Sequence, residues 1–126
     1  GATKAHLARA ALEGIAYQVA DLVSTMEKDL GKPLSSLWVD GGASVSNFMM
    51  QFQADLLRCS IYRPKRVETT AAGAAYLAGL AVGYWDDLTE IRRNWQVSAA
   101  FNPELTQEAA EEKMNGWHHA VKQARL

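Results

Sequence analysis

The sequence is short of cysteine, of net charge and of long apolar runs, and each shortage removes a class of protein. Its one cysteine, Cys59, has no second cysteine to pair with, so no disulfide can close within the chain. That suits a reducing compartment, and a cytoplasmic location is expected. Lys and Arg number 13 against 14 Asp and Glu, giving a net charge of -1 and a pI of 6.3. Such a balance builds no strongly basic face, so no nucleic-acid partner is expected. The most apolar stretch, Ala71 to Tyr84, falls short of the roughly 20 residues that cross a bilayer, and no membrane span is expected. The opening Gly1-Ala2-Thr3-Lys4 lacks both an initiator Met and the basic-then-apolar order of a signal peptide. A fragment of a longer protein is expected, a processed mature chain being the alternative. What is present is a 48% apolar, 21% charged composition, enough for a single soluble domain with a packed core.

Periodicity organises the chain. Leu7, Ala11, Ile15, Val19, Leu22, Val23, Met26 and Leu30 recur at three- and four-residue steps, predicting one long helix with these residues on its inner face. Thr3 can cap it, and Gly31 and Pro33 end it. Gly14 within it costs about 1 kcal/mol against Ala, so close packing is expected there. Leu37-Trp38-Val39 reads as a buried strand, broken by Asp40-Gly41-Gly42. Ser44 or Ser46 caps a second helix to about Arg58, with Val45, Met49, Phe52 and Leu56 inward. Ser60-Ile61-Tyr62 reads as a second strand, stopped by Pro64. Thr69 or Thr70 caps a third helix, Ala71 to Gly83, whose small residues predict tight burial. Asp86 or Asp87 caps a short helix to about Asn94. Asn102-Pro103-Glu104 predicts the start of a last helix to about Ala124, with Leu105, Ala109, Trp117, Val121 and Ala124 inward.

The expected fold class is therefore helix-rich α/β, with two short parallel strands flanked by helices. Two strands are too few for a complete parallel sheet, and a lone pair leaves both edges open. The chain is expected to lack strands of a larger domain.

One loop carries a chemical signal: Asp40-Gly41-Gly42-Ala43-Ser44-Val45-Ser46-Asn47, between a strand and a helix. Glycines let a ligand approach the main chain, and a helix start offers unpaired N–H groups suited to phosphate. In parallel sheets ligands sit beyond the carboxyl ends of the strands, where this loop falls. A plain tight turn has the same look. The loop is neither a Walker A sequence nor Gly-x-Gly-x-x-Gly.

Asp40-Gly41-Gly42-Ala43 followed by Asn47-Phe48-Met49-Met50-Gln51-Phe52-Gln53-Ala54-Asp55 resembles the nucleotide loop and helix of the glycerol kinases, within the wider FGGY carbohydrate kinase family. So does Arg63-Pro64 with the run from Glu68-Thr69-Thr70 to Gly83-Tyr84-Trp85, and, upstream, His6-Leu7 with Ala10-Ala11-Leu12-Glu13. The likeness is dense from residue 3 to about 85. It implies a partial actin-like, ribonuclease H-like ATPase domain, with residues 1–126 forming the C-terminal, nucleotide-binding side and the N-terminal substrate domain absent. It also implies a parent that moves the γ-phosphoryl of MgATP to glycerol. ATP or ADP is the expected ligand of this side. Mg2+ and glycerol would be held mainly through the absent domain, and a homo-oligomeric parent is expected. Carried across, Gly42 is the main-chain contact to the nucleotide, with Gly41 and Ala43 beside it. The family position four residues after Gly42 usually holds Asn, near the adenine edge. Here it is Ser46, which can donate and accept but is shorter; Asn47 stands one position away.

No catalytic and no metal-ligating residue is expected in this chain. Asp40 borders the loop but reads as structural, Asp55 sits in a helix, and Asp21 lies on a helix's outer side. His118 and His119 are neighbours on a helix and point about 100° apart, which suits a solvated face better than a shared ion. Cys59 reads as a small buried hydrophobe, and Arg58, Arg63, Lys65 and Arg66 as a solvated loop, a meeting with a phosphorylated ligand being the alternative. The four tryptophans read as core residues. Two alternatives remain at this point: a non-catalytic binding or assembly module of the same fold, and a kinase for another polyol.

Overall fold

The computed structural model describes residues 1–65 and 68–125; Arg66, counted above in the basic loop, lies outside them. Helix α1 spans Lys4–Leu30, strand β1 Ser36–Trp38, helix α2 Asn47–Leu57 and strand β2 Ser60–Pro64. Helix α3 spans Thr69–Ala81, α4 Leu88–Arg93, strand β3 Val97–Phe101 and α5 Gln107–Ala124. The expected caps are largely in place. Thr3 precedes α1, and its N–H donates to His6 Nδ1 at 3.1 Å. Gly31 closes α1 at φ 68°, Ser46 caps α2 through the Met49 N–H, and Asp87 caps α4 through the Glu90 N–H.

The sheet runs β1-β2-β3. Strands β1 and β2 are parallel, with Ser36, Leu37 and Trp38 opposite Ser60, Ile61 and Tyr62, as the sequence implies. Strand β3 departs from the two-strand expectation. It pairs antiparallel with β2, Ile61 opposite Phe101 and Tyr62 opposite Ala100. The far edge of β2 is therefore covered, and of the two edges expected to be open only that of β1 remains so among the described residues.

Helix α2 is the centre of the molecule. One face joins Met49, Met50 and Ala54 to Ile61, with Leu37, Val39 and Phe101 of the sheet side around them. The other joins Phe52 and Leu56 to Ala16 and Ala20 of α1, with Tyr17 and Met114 against them. Gln53, buried between the layers, donates to the Ala16 carbonyl at 3.1 Å. A helix enclosed on both sides needs apolar residues around most of its circumference, and α2 has them.

Several expectations change here. The inner face of α1 is made by Ala16, Ala20 and Val23, while Leu7, Ile15, Leu22, Met26 and Leu30 are exposed. The alanines let α2 come close, and the bulkier stripe turns outward. Open space surrounds Gly14, not the close neighbour expected. Helix α3 buries no residue fully, so its small side chains do not mark a packed interior in this chain. Trp85 packs against it: an added Cβ at Gly79 would fall 2.5 Å from Trp85 Cδ1, and Tyr76 meets the same ring edge-on. Trp38 and Trp95 are exposed rather than core residues, as is Val45. Helix α5 starts at Gln107 behind a Thr106 cap, not at Asn102-Pro103. The buried Asp55 carboxylate accepts the Glu104 N–H at 2.7 Å and the Leu105 N–H at 3.3 Å, tying this segment to α2, and the helix begins only at the Thr106 cap.

Candidate functional site

Parallel pairing carries on past β1, since the Val39 N–H donates to the Tyr62 carbonyl at 3.0 Å. The chain then leaves the sheet through Asp40 and Gly41 into a short 3-10 turn, Gly42–Val45, which runs straight into α2. Gly41 has φ 86° and ψ 171°, a region that only glycine occupies readily. Its glycine is thus explained by the turn alone. Gly42 differs. It is exposed, its φ is not positive, and a Cβ built on it meets nothing within 4 Å. Neither backbone strain nor a neighbour within this chain asks for glycine at position 42.

The loop's other polar groups are committed to its own shape. The Ser44 N–H and hydroxyl both donate to the Gly41 carbonyl, at 3.1 and 2.6 Å, with Ser44 buried. The Ser46 N–H donates to the Ala43 carbonyl at 3.3 Å, and the Ser46 Oγ accepts the Met49 N–H at 3.2 Å. Ser46 therefore acts as a helix cap, with its hydroxyl proton left to give. Among the described residues the N–H groups of Gly42 and Ala43 have no acceptor in the chain. The Asn47 side chain is engaged elsewhere, its Oδ1 accepting from Arg63 Nη1 at 2.9 Å.

Sequence reasoning alone misses that Arg63. Of the four basic residues taken for a solvated loop, Arg63 belongs to β2 and bonds the glycine loop, Arg58 bonds the Leu105 carbonyl, and Lys65 reaches Gln96 Oε1 at 3.4 Å. A signal existed. Tyr62 pairs with Trp38 in parallel register, so the residue after Tyr62 must lie beside the loop that leaves β1.

Away from the loop, Asp21 of α1 accepts from Trp117 Nε1 and faces His118 Nε2 of α5, each at 2.7 Å. Partial burial would raise the Asp21 carboxyl, but the hydrogen bonds from Trp117 and His118 and the charge of His118 outweigh it and hold the group below its ordinary value. Cys59 is buried, and its thiol is pushed up by that burial and by the nearby Glu27 charge. Among the described residues no three His, Cys, Asp or Glu side chains come together to hold a metal, and no helix is long and apolar enough to cross a membrane. A cleft of about 560 Å³ is walled by Pro64, Tyr76, Trp85 and Trp95, but no residue of the glycine loop lines it. Its wall includes Thr69, Ala72 and Tyr76 of helix α3.

A strand, an open glycine turn and a buried helix follow one another in this order, with the β1-β2 pairing behind them. The chain belongs to the FGGY family of carbohydrate kinases, matching that family's C-terminal domain over residues 1–82. Within the family it is similar to glycerol kinases. Glycerol kinase 1 of Clostridium tetani is 53% identical over 124 residues, covering 98% of this chain and 25% of that protein. The structure of Plasmodium falciparum glycerol kinase with ADP superimposes with a TM-score of 0.86 at 33% identity, over 100% of this chain and 26% of that one. A ligand-bound xylulose kinase from Lactobacillus acidophilus gives 0.75 at 28% identity, over 98% of this chain and 26% of that one. The fold is accordingly a helix-rich α/β piece of the actin-like ATPase architecture, its small sheet mixed rather than purely parallel. The chain spans about a quarter of the length of the curated relatives it matches.

Proposed function

We propose that this chain is the nucleotide-gripping side of a glycerol kinase, residues 1–126 forming the C-terminal part of a longer protein whose N-terminal domain holds glycerol. The observation that carries the reading is the place of Gly42: in the turn between β1 and α2 it is exposed and unstrained, with room for a ligand and, among the described residues, an N–H without an acceptor. The Gly41–Ala43 main chain fits an adenine nucleotide, because it is bare of side chains and its Gly42 and Ala43 N–H groups are ready to donate. Ser46, with a hydroxyl proton to give, stands where relatives of the family place an amide.

The longer protein would transfer the γ-phosphoryl of MgATP to a terminal hydroxyl of glycerol. This chain's share is to hold and orient the nucleotide; among the described residues no cluster of three His, Cys, Asp or Glu is present to hold a metal. Mg2+, the glycerol pocket and the proton acceptor belong to the other domain, which must close over this one for the reaction to run. Phosphoryl transfer depends on positioning and charge stabilisation from both sides of the γ-phosphate, so one side alone is inactive. A cytoplasmic location and a homo-oligomeric parent accompany this reading.

The test uses the full-length protein and the 126-residue chain side by side. The full-length protein should form glycerol 3-phosphate from glycerol and MgATP, and the chain alone should not. Glycerol-dependent ATP turnover by the pure chain would overturn the division of labour. A full-length protein that ignores glycerol but phosphorylates another polyol would move the substrate and keep the nucleotide assignment.

A further inference from the structure

We infer that Arg63 is a positioning residue for the nucleotide, shaping the glycine loop from behind. The inference rests on the nucleotide reading above. From the central strand β2, Arg63 Nη1 donates to the Ser44 carbonyl at 2.9 Å, the Val45 carbonyl at 3.2 Å and Asn47 Oδ1 at 2.9 Å. Those three acceptors cover the end of the 3-10 turn and the first residue of α2. On its other side the guanidinium lies over the Phe101 ring of β3, 5.3 Å from the centroid. The group is thus clamped between an aromatic face and two main-chain carbonyls.

Every other tie described within the turn is local, from Ser44 to Gly41, from Ser46 to Ala43 and from Met49 to Ser46. The Arg63 bonds are the ones that come from outside the loop. They fix where the turn sits relative to the sheet, and with it where the Gly42 and Ala43 N–H groups point. Among the described residues Arg63 makes no ion pair; its charge is answered by carbonyl oxygens. All three bonds leave Nη1, so its N–H groups are shared among the three acceptors; a lysine ammonium also has donors for them but lacks the planar face that lies over Phe101.

The test is kinetic, on the full-length protein. In Arg63→Met, KM for MgATP should rise roughly tenfold to a hundredfold, the scale set by misplacement of about 1 Å, while KM for glycerol moves less than about twofold. Arg63→Lys should recover part of the loss. A purely structural role would instead lower the active fraction and the melting temperature and leave KM for MgATP alone. A folded Arg63→Met with an ordinary KM for MgATP overturns the inference. Should Arg63→Met fail to fold, Asn47→Ala, which removes one acceptor, decides: a severalfold rise in the same constant supports the inference and an unchanged value refutes it. If the unaltered protein does not phosphorylate glycerol, the dissociation constant of a fluorescent ADP analogue is read for the same variants. Weakening then supports Arg63 although the kinase reading has failed, and no binding by the unaltered protein removes both.

Discussion

At the scale of single residues, the two adjacent glycines differ in backbone angles, one strained for any side chain and the other not. Gly41→Ala forces a side chain into backbone angles of 86° and 171°, at a cost of about 1–3 kcal/mol in chemical denaturation. Gly42→Ala places its methyl in open space and should leave stability within about 0.5 kcal/mol of the parent, as surface substitutions do. In the full-length protein the same methyl should raise KM for MgATP. If it leaves that constant alone, the open glycine has no visitor. The loop was legible in the sequence because strand, glycine pair and helix cap follow each other without a gap. Arg63 was not, because its role depends on which strand lies next to β1, and only the pairing of Trp38 with Tyr62 decides that.

Asp21 provides a pH-dependent case. Its carboxyl titrates lower in the folded chain than in the unfolded one, so the unfolded chain binds the proton more readily in the interval between. The stabilisation is fully present above the ordinary carboxylate range and is lost as pH falls through the folded value. Asp21→Asn keeps an acceptor for Trp117 but cannot titrate. Its stability should fall less steeply than that of the parent when denaturation is followed from pH about 5 down to about 3, across the ordinary Asp value near 3.9. Parallel slopes would show that Asp21 does not carry the acid sensitivity.

At the scale of elements, helix caps and apolar steps were readable where a local signal exists, as in α2 behind Ser46 and α4 behind Asp87. Strand β3 had no such signal. Val97-Ser98-Ala99-Ala100-Phe101 shows no clean alternation and contains two alanines, poor strand formers; it is ordered by pairing with the free side of β2. The start of α5 misled for a related reason. Asn102-Pro103-Glu104 has the composition of a helix start, but the segment is tied to Asp55 of α2 and a second cap, Thr106, starts the helix instead. The buried side of α1 was chosen by shape: Ala16 and Ala20 permit close approach, and the leucines of the other stripe do not. With open space at Gly14, Gly14→Ala should stabilise this chain by about 1 kcal/mol through helix propensity alone, visible as a higher denaturation midpoint. A loss instead would show that something presses on α1 there.

At the scale of the whole molecule, this chain leaves much apolar surface in water. Leu7, Leu22 and Leu30 of α1, Leu77 of α3, and Val82 and Tyr84 after it are all more than half exposed. That much exposed apolar side chain favours association of the isolated chain through the hydrophobic effect. Light scattering on the isolated chain should report loose, concentration-dependent association without a fixed size, and the full-length protein should lack it. A tight dimer of defined mass would favour the assembly-module alternative instead.

The enclosure of α2 has a consequence for the rhythm of local opening. Amide hydrogens survive longest against deuterium where the surrounding layers must part before water can enter, and helix α2 lies between two such layers. Helix α3, the most alanine-rich and by composition a ready helix, buries none of its residues and should exchange early. Deuterium uptake should therefore rank the two helices against their intrinsic propensities, so that the glycine turn hangs from the slowest-breathing segment of the chain.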